Sequence, residues 1–247
     1  MPWKKSGLRI GGQAATADSS VTLGINNLGV NVDLEEALGA DTSTTSAYVY
    51  AFFRNSKNPK HRYDLSWYSL KRSSSKTIGQ DITIGDTTFP LGTTINSHLD
   101  MDIIKSSYSY SFIQDDRVDL ALSAGLYILP IRFGIEASGA FQGNEGESIT
   151  APLPVFGFRG DIALAPKWIL HQRAQLFYLE YGAFKGGISD LGIGVEWRPL
   201  KNVGLGVDLT SFMMRVHAEG GDYPGVDFVG DLRLRTVGLM LYGSVFH

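Results

Sequence analysis

Apolar and polar residues alternate along almost all of the closing segment, residues 228–246. One parity carries the large apolar side chains of Leu232, Leu234, Met240, Tyr242 and Phe246. The other parity carries Arg233 and Arg235. Alternation with a period of two is typical of a β-strand with one apolar and one polar face. The segment is much longer than the usual strand of about 5–6 residues. It therefore predicts a long strand with Arg233 and Arg235 on its polar face.

The same alternation recurs earlier and predicts strands at 43–54, 62–72, 98–113, 118–133, 155–164, 168–181, 189–198 and 203–214. A weaker strand at 8–14 is extended by 20–25. Short turns at 55–60, 114–116, 165–167 and 199–202 alternate with longer connections at 73–96, 137–153, 182–187 and 217–225. An up-and-down arrangement then places all the short turns at one end. We expect one domain over 1–247, an all-β antiparallel barrel of about ten strands, with roughly eight to twelve compatible with the pattern. Twelve would result if a hairpin within 77–95 also spanned the barrel.

The segment 33–39 breaks the β pattern. Asp33 suits a helix N-cap, and Gly39 suits a C-cap. One short helix is therefore predicted here, with Leu34 and Leu38 on one face. The terminal residues 1–5 and His247 are expected to lie outside the fold, as added or disordered residues.

Composition removes several classes of protein. The chain has no cysteine, so disulfides, zinc–thiolate sites and thiol nucleophiles are excluded. A net charge of −3 argues against nucleic-acid binding. No run of 18 apolar residues is present, which excludes a transmembrane helix. A barrel spans lipid with alternating strands, whose mean hydropathy is close to neutral.

Large aromatic residues flank the short turns and predict a girdle at one height: Phe52, Tyr63, Phe112, Trp168, Trp197 and Phe246. A soluble, lipocalin-like ligand-binding barrel would alternate too, with its apolar face inward. The girdle, the sorting of connections by length and the small residues on the polar face favour lipid outside. We therefore expect a bacterial outer membrane, with periplasmic termini and extracellular long loops.

The polar face is predicted to line the lumen with Arg62, Asp64, Arg72, Asp119, Arg159, Asp161, His171, Arg173, Glu196, Arg198, Asp208, Arg233 and Arg235. Rings of charge could select ions or small solutes. A barrel of this size is, however, just wide enough for side chains to fill, and interdigitated ion pairs would then plug it. For a barrel of ten strands, we favour a lumen filled by ion-paired side chains over an open pore. Gly192, Gly194, Gly204 and Gly206 inside strands would either leave room for large lumen side chains or allow the strands to curve.

Acid–base chemistry has two weak candidate sites at the loop end: His98 with Asp100 and Asp102 on one face of a strand, and His217 near Glu219 and Asp222. A His–carboxylate pair there could activate water, as in a surface-exposed barrel hydrolase, or hold a metal weakly. No nucleophile motif, phosphate loop or dinucleotide fingerprint accompanies them. The expectation is a non-enzymatic protein without a cofactor or metal, either structural or a narrow passive channel for small solutes or ions.

Several segments resemble a family of Gram-negative outer-membrane β-barrel proteins without an assigned activity: LEEALGAD, RYDLSWYSLKRS, GQDITIGDTTFPLGT, DMDIIKSSYSYSF, APLPVFGFRGDIALAPKW and EWRPLKNVGLGVDL. APLP and WRPLKNVGLG are the most specific of these, and the resemblance runs over 37–246. It implies an outer-membrane barrel whose partners are the membrane lipid and the barrel-insertion machinery, engaged through the C-terminal strand. It implies no catalytic residue.

Overall fold

The structure is a computed structural model, and it describes residues 2–23, 30–33, 43–77, 79, 81–84, 87–138, 144–182, 184–219 and 229–247. Ten long strands form one closed antiparallel sheet: β1 (Ser6–Leu23), β3 (Ser43–Arg54), β4 (His61–Thr77), β7 (Thr94–Gln114), β8 (Val118–Ser138), β9 (Asn144–Ala165), β10 (Trp168–Tyr181), β11 (Phe184–Leu200), β12 (Val203–Glu219) and β13 (Val229–Phe246). Three short strands complete the set: β2 (Val30–Asp33), β5 (Ile82–Ile84) and β6 (Thr87–Phe89).

Consecutive long strands pair with each other, and β13 pairs with β1 to close the barrel. The register runs from Gly7 opposite Phe246 to Leu23 opposite Gly230. Closure gives each of the ten long strands a neighbour on both sides, which is what a barrel in lipid requires. The predicted antiparallel barrel and its strand number are confirmed. The hairpin within 77–95 forms a separate two-stranded sheet, β5–β6, and adds no spanning strands.

The short turns and both chain ends lie at one end of the barrel, called here the turn end, and the longer connections lie at the loop end. Asp33, the predicted helix N-cap, is the last residue of β2, and 34–39 lie outside the described residues. No described residue belongs to a helix that is long and apolar enough to cross a membrane.

The strands are longer at the loop end than the sequence predicts. β8 continues to Ser138 and β9 begins at Asn144, so most of the predicted connection 137–153 is strand. The predicted connections 182–187 and 217–225 are likewise shortened, because β11 begins at Phe184 and β12 continues to Glu219. β1 is continuous through Leu23. The alternation is weaker in these segments, whereas the backbone ladder between β8 and β9 continues to Glu136 opposite Asn144.

The outer face of the barrel is apolar. Leu122, Phe156 and Tyr178 are exposed by 64%, 68% and 72%, and similar side chains surround the barrel. A soluble ligand-binding barrel would bury such residues, so the lipocalin-like alternative does not fit. The band is the lipid-facing surface of a transmembrane barrel.

The parity predicted for β13 is wrong. Its large apolar residues point into the barrel and are buried: Leu232, Leu234, Met240, Tyr242 and Phe246. The outward side chains near the turn end are Val237, Leu239, Leu241 and Val245. Arg233 and Arg235 share this outward parity and are exposed. The sequence is ambiguous here because both parities are apolar over the second half of the strand.

The aromatic girdle is partly as predicted. Tyr63, Phe112, Trp168 and Trp197 point outward near the turn end, and the two indoles stack with ring centroids 6.3 Å apart. Phe52 and Phe246 point inward instead and contact each other, with ring centroids 6.4 Å apart. Phe53 takes the outward position next to Phe52.

Candidate functional site in the barrel interior

The interior has two zones. A network of charged side chains fills the half next to the turn end, and large apolar side chains fill the half next to the loop end. The network contains these predicted lumen residues: Arg62, Asp64, Asp119, Arg159, Asp161, His171, Arg173, Glu196, Arg198 and Asp208. Arg72 also points inward and is buried. Arg233 and Arg235 do not belong to it.

Asp161 on β9 lies at the centre of the network. Its carboxylate binds the guanidinium groups of Arg62, at 3.1 Å, and of Arg159. Asp119 on β8 binds Arg159 at 3.1 Å and Arg54 at 2.6 Å. Each carboxylate therefore contacts two guanidinium groups, the arrangement that makes burial of such charges tolerable.

A second cluster is centred on Glu196 of β11, whose carboxylate is completely buried. It binds Arg9 at 3.0 Å and Arg198 at 2.5 Å, and it accepts a hydrogen bond from the Ser244 hydroxyl at 3.1 Å. Arg9 and Arg54 were not among the predicted lumen residues. Arg9 lies in the weakest strand pattern, and Arg54 lies at the end of its strand, where parity is least informative.

His171 joins these two clusters. Its Nδ1 lies 2.7 Å from Asp161, and its Nε2 lies 2.9 Å from Nη2 of Arg9. A guanidinium can only donate, so Nε2 accepts and Nδ1 carries the proton that is donated to Asp161. The ring is held by both nitrogens, which makes it a connecting element of the network.

A third cluster lies nearer the middle of the barrel. Asp190 on β11 binds the Lys105 ammonium, accepts a hydrogen bond from the Tyr127 hydroxyl at 2.5 Å and lies 3.7 Å from Arg173. Tyr127 also contacts Gln175. The ammonium of Lys105 is 5.0 Å from the Tyr127 ring centroid, within cation–π range. Lys105 on β7 and Asp190 on β11 lie on strands that do not adjoin, so the pair forms across the lumen and no sequence spacing reveals it.

Glycine makes room for large side chains, as predicted. A Cβ on Gly206 would overlap the Tyr242 ring, and a Cβ on Gly194 would overlap the Asp208 carboxylate. The Tyr242 hydroxyl donates to Asp208 at 3.1 Å. Gly194 and Gly206 therefore leave the space that the hydrogen-bonded side chains of Tyr242 and Asp208 occupy.

A cavity of about 80 Å³ lies among the charged clusters, and Arg9, Asp64, Arg159 and Arg173 contribute to its lining. Liquid water occupies about 30 Å³ per molecule, so the cavity has room for roughly two or three waters. Two spaces of about 10 Å³ each adjoin the same clusters, one lined by Trp3 and Arg198 and the other by residues such as Phe212. These three spaces, all lined by described residues, can thus hold water but are too small for a solute the size of a sugar.

Towards the loop end the lumen is filled by packed apolar side chains. Ile103, Leu129, Leu153 and Val155 have no exposed surface, and Met101 is 2% exposed. They come from three adjacent strands and belong to one cluster that also includes residues of β4, β10, β11, β12 and β13. This apolar plug leaves no open path through the part of the lumen that the structure describes.

The turn end is narrowed by residues 2–5, which cross it despite the expectation that they lie outside the fold. The Trp3 indole donates to the carbonyl of Asp115 at 2.6 Å. Lys4 contacts the carbonyl of Lys201, and Arg198 donates to the carbonyl of Pro2 at 2.9 Å. His247 pairs with the backbone of Ser6.

Asp115 has a second role in its turn, because its carboxylate accepts hydrogen bonds from the backbone N–H groups of Arg117 and Val118. These bonds hold the pKa of the Asp115 carboxyl below its ordinary value.

The two acid–base candidate sites lie on different strands. His98, Asp100 and Asp102 share the outward parity of β7, and Asp102 accepts a hydrogen bond from the Trp67 indole at 3.2 Å. His217 lies on β12, which does not adjoin β7, and pairs with Asp231 at 3.1 Å. Among the residues searched, all within the described ranges, no group of three His, Cys, Asp or Glu side chains could hold a metal ion.

Comparisons with known proteins define the class by its fold. The structure is similar to the outer-membrane protease OmpT of Escherichia coli, with a TM-score of 0.60 and 8% identity over 98% of this chain and 96% of that chain. The translocator domain of the autotransporter NalP of Neisseria meningitidis gives a TM-score of 0.49 and 13% identity, over 95% of this chain and 88% of that chain. The similarity to OmpT therefore gives the chain the fold of an antiparallel outer-membrane barrel.

No family model matches the sequence, and no curated protein matches it. The family suggested by APLP and WRPLKNVGLG is therefore supported at the level of the fold, and its motifs are not.

Proposed function

We propose that this protein is a closed, non-conducting barrel of a bacterial outer membrane, with a structural function. The turn end and both termini would face the periplasm, and the loop end would face the exterior. The apolar band, the outward aromatic residues near the short turns and the length of the loop-end strands support this orientation. Assembly through β13 by the barrel-insertion machinery remains a prediction.

The observation that carries the proposal is the apolar plug around Ile103, Leu129 and Leu153. A charged network alone could exchange water and ions, because charged side chains can line a hydrated path. Packed apolar side chains without exposed surface offer an ion no coordination, and entry would require desolvation in a medium of low dielectric. The lumen is therefore closed towards the loop end even though the other half is polar.

A narrow passage for protons or small ions is the second candidate. The cavity of about 80 Å³ and its two small neighbours favour it, since they lie along the charged clusters between the turn end and the middle of the barrel. Such a passage would require the apolar plug to open. The hydrolase alternative has no comparable support, because its histidines face outward on separate strands.

Planar-bilayer recording of the purified, refolded protein tests the proposal. We expect no conductance steps in 1 M KCl at either polarity. A matched variant, L129S/L153S, opens the apolar plug without touching the charged network and should show more current than the wild type. Regular steps of uniform size from the wild type would instead establish the passage.

A further inference from the structure

Three arginines form a compact basic patch on the outside of the barrel near the loop end. Arg215 on β12 and Arg233 on β13 lie directly opposite each other, and Arg235 follows on the same face of β13. All three are exposed. Cross-strand neighbours are about 5 Å apart at Cβ, and like charges in this position destabilise a sheet. The pair therefore requires a counter-charge.

The neighbouring carboxylates do not supply that charge. Asp231, the next outward residue of β13, is paired with His217 at 3.1 Å. Asp18 on β1 lies opposite Arg235 in the register, but no ion pair joins them. Within the described part of the chain, the three guanidinium groups form no salt bridge.

The position of the patch along the barrel axis indicates which part of the membrane it contacts. The outward apolar residues of β13 run from Val237 to Val245. At about 3.4 Å per residue and a strand tilt of about 40°, this run covers about 20 Å along the barrel axis. The apolar band of an outer-membrane barrel is about 25 Å tall. Arg235 and Arg233 follow immediately, so they lie at the level of the lipid headgroups.

Small residues beside the arginines leave space for a ligand. Gly187 on β11 lies opposite Arg215, and Ser20 on β1 lies opposite Arg233. The patch is therefore flanked on both sides by positions with little side-chain bulk. A headgroup oxygen can approach the sheet here and accept hydrogen bonds from more than one guanidinium.

We propose that Arg215, Arg233 and Arg235 form a binding site for the phosphate groups of an anionic lipid in the leaflet at the loop end. Arginine binds phosphate through two parallel N–H groups, and three arginines on adjacent strands suit a headgroup with more than one phosphate. The apolar side chains below, such as Val237 and Leu239, would contact its acyl chains. The site lies on the outer surface and does not depend on whether the lumen conducts.

Native mass spectrometry in a neutral detergent tests the site, with bis-phosphorylated lipid A as the probe. The wild type should bind one lipid molecule, and R215S/R233S/R235S should bind it at least about tenfold more weakly. The matched control K71S/R132S removes two outward basic residues that flank Asp100 in the register of β4, β7 and β8. Its affinity should stay within twofold of the wild type.

R215K/R233K/R235K keeps the charge and should bind more tightly than the serine variant, and an unheated gel checks that each variant is folded. Equal binding by the wild type and the folded serine variant would overturn the proposal, as would an equal loss in the control. Displacement of the lipid by an equimolar amount of inorganic phosphate would also overturn it, because the site would then recognise a free anion.

Discussion

Asp119 and Asp161 lie directly opposite each other on β8 and β9, and both carboxylates are buried inside the barrel. Two like charges in this position would repel each other in a medium of low dielectric. Arg159 lies between them and contacts both, while Arg54 and Arg62 complete the charge balance. The network therefore joins β3 and β4 to β8 and β9 through ion pairs that no local sequence pattern encodes.

Replacing Asp161 with asparagine should destabilise the barrel strongly. The amide keeps the shape but leaves Arg62 and Arg159 with less compensating negative charge. Removing one partner of a buried ion pair costs about 3 kcal/mol or more. Urea unfolding in lipid vesicles measures this loss. D18N, at an exposed position on β1, is the control and should change the free energy of unfolding by less than about 0.5 kcal/mol. Equal effects of D161N and D18N would show that the network contributes little to stability.

The Lys105–Asp190 pair should be energetically coupled. K105M leaves Asp190 with Arg173 at 3.7 Å as its remaining cation and should cost about 3 kcal/mol. D190N should also destabilise the barrel, because it leaves the Lys105 ammonium buried without a carboxylate. In the double variant neither group is left unpaired, so its loss should be smaller than the sum by about 1–3 kcal/mol. A double-mutant cycle of unfolding free energies measures this, and strict additivity would contradict the pairing.

The outward indoles of Trp168 and Trp197 should stabilise each other at the turn end. Their rings stack at 6.3 Å with an interplanar angle of 27°, and such aromatic pairs contribute about 0.5–1.5 kcal/mol beyond the area they bury. W168A and W197A should therefore be non-additive in unfolding experiments. Trp67, an outward indole on β4, serves as the control, because W67A and W168A should be additive. If W67A and W168A were coupled as strongly as W168A and W197A, the coupling could not be attributed to the stacking of Trp168 on Trp197.

The arrangement of the strands could be predicted because alternation and the spacing of turns are local signals. Which face of β13 points into the lumen could not be predicted. Arg233 and Arg235 point outward, but they lie beyond the apolar band, where polar side chains are tolerated. Met240 and Tyr242 point inward, where large apolar side chains fill the lumen. A charged residue near the loop end therefore does not identify the lumen. The ion pairs could not be predicted either, because partners such as Arg62 on β4 and Asp161 on β9 lie on strands that do not adjoin and meet only in the interior.

Gly206 offers a test of packing that is independent of charge. A Cβ at this position would overlap the Tyr242 ring, which must then move and weaken the hydrogen bond from its hydroxyl to Asp208. Overpacking of this kind costs about 1–3 kcal/mol, so G206A should lower the urea midpoint clearly. G243A is the matched control, because a Cβ on Gly243 meets no atom within 4 Å and the residue faces outward. If G206A unfolds at the same urea concentration as G243A, Tyr242 can rearrange freely, and the close packing of this part of the lumen does not contribute to stability.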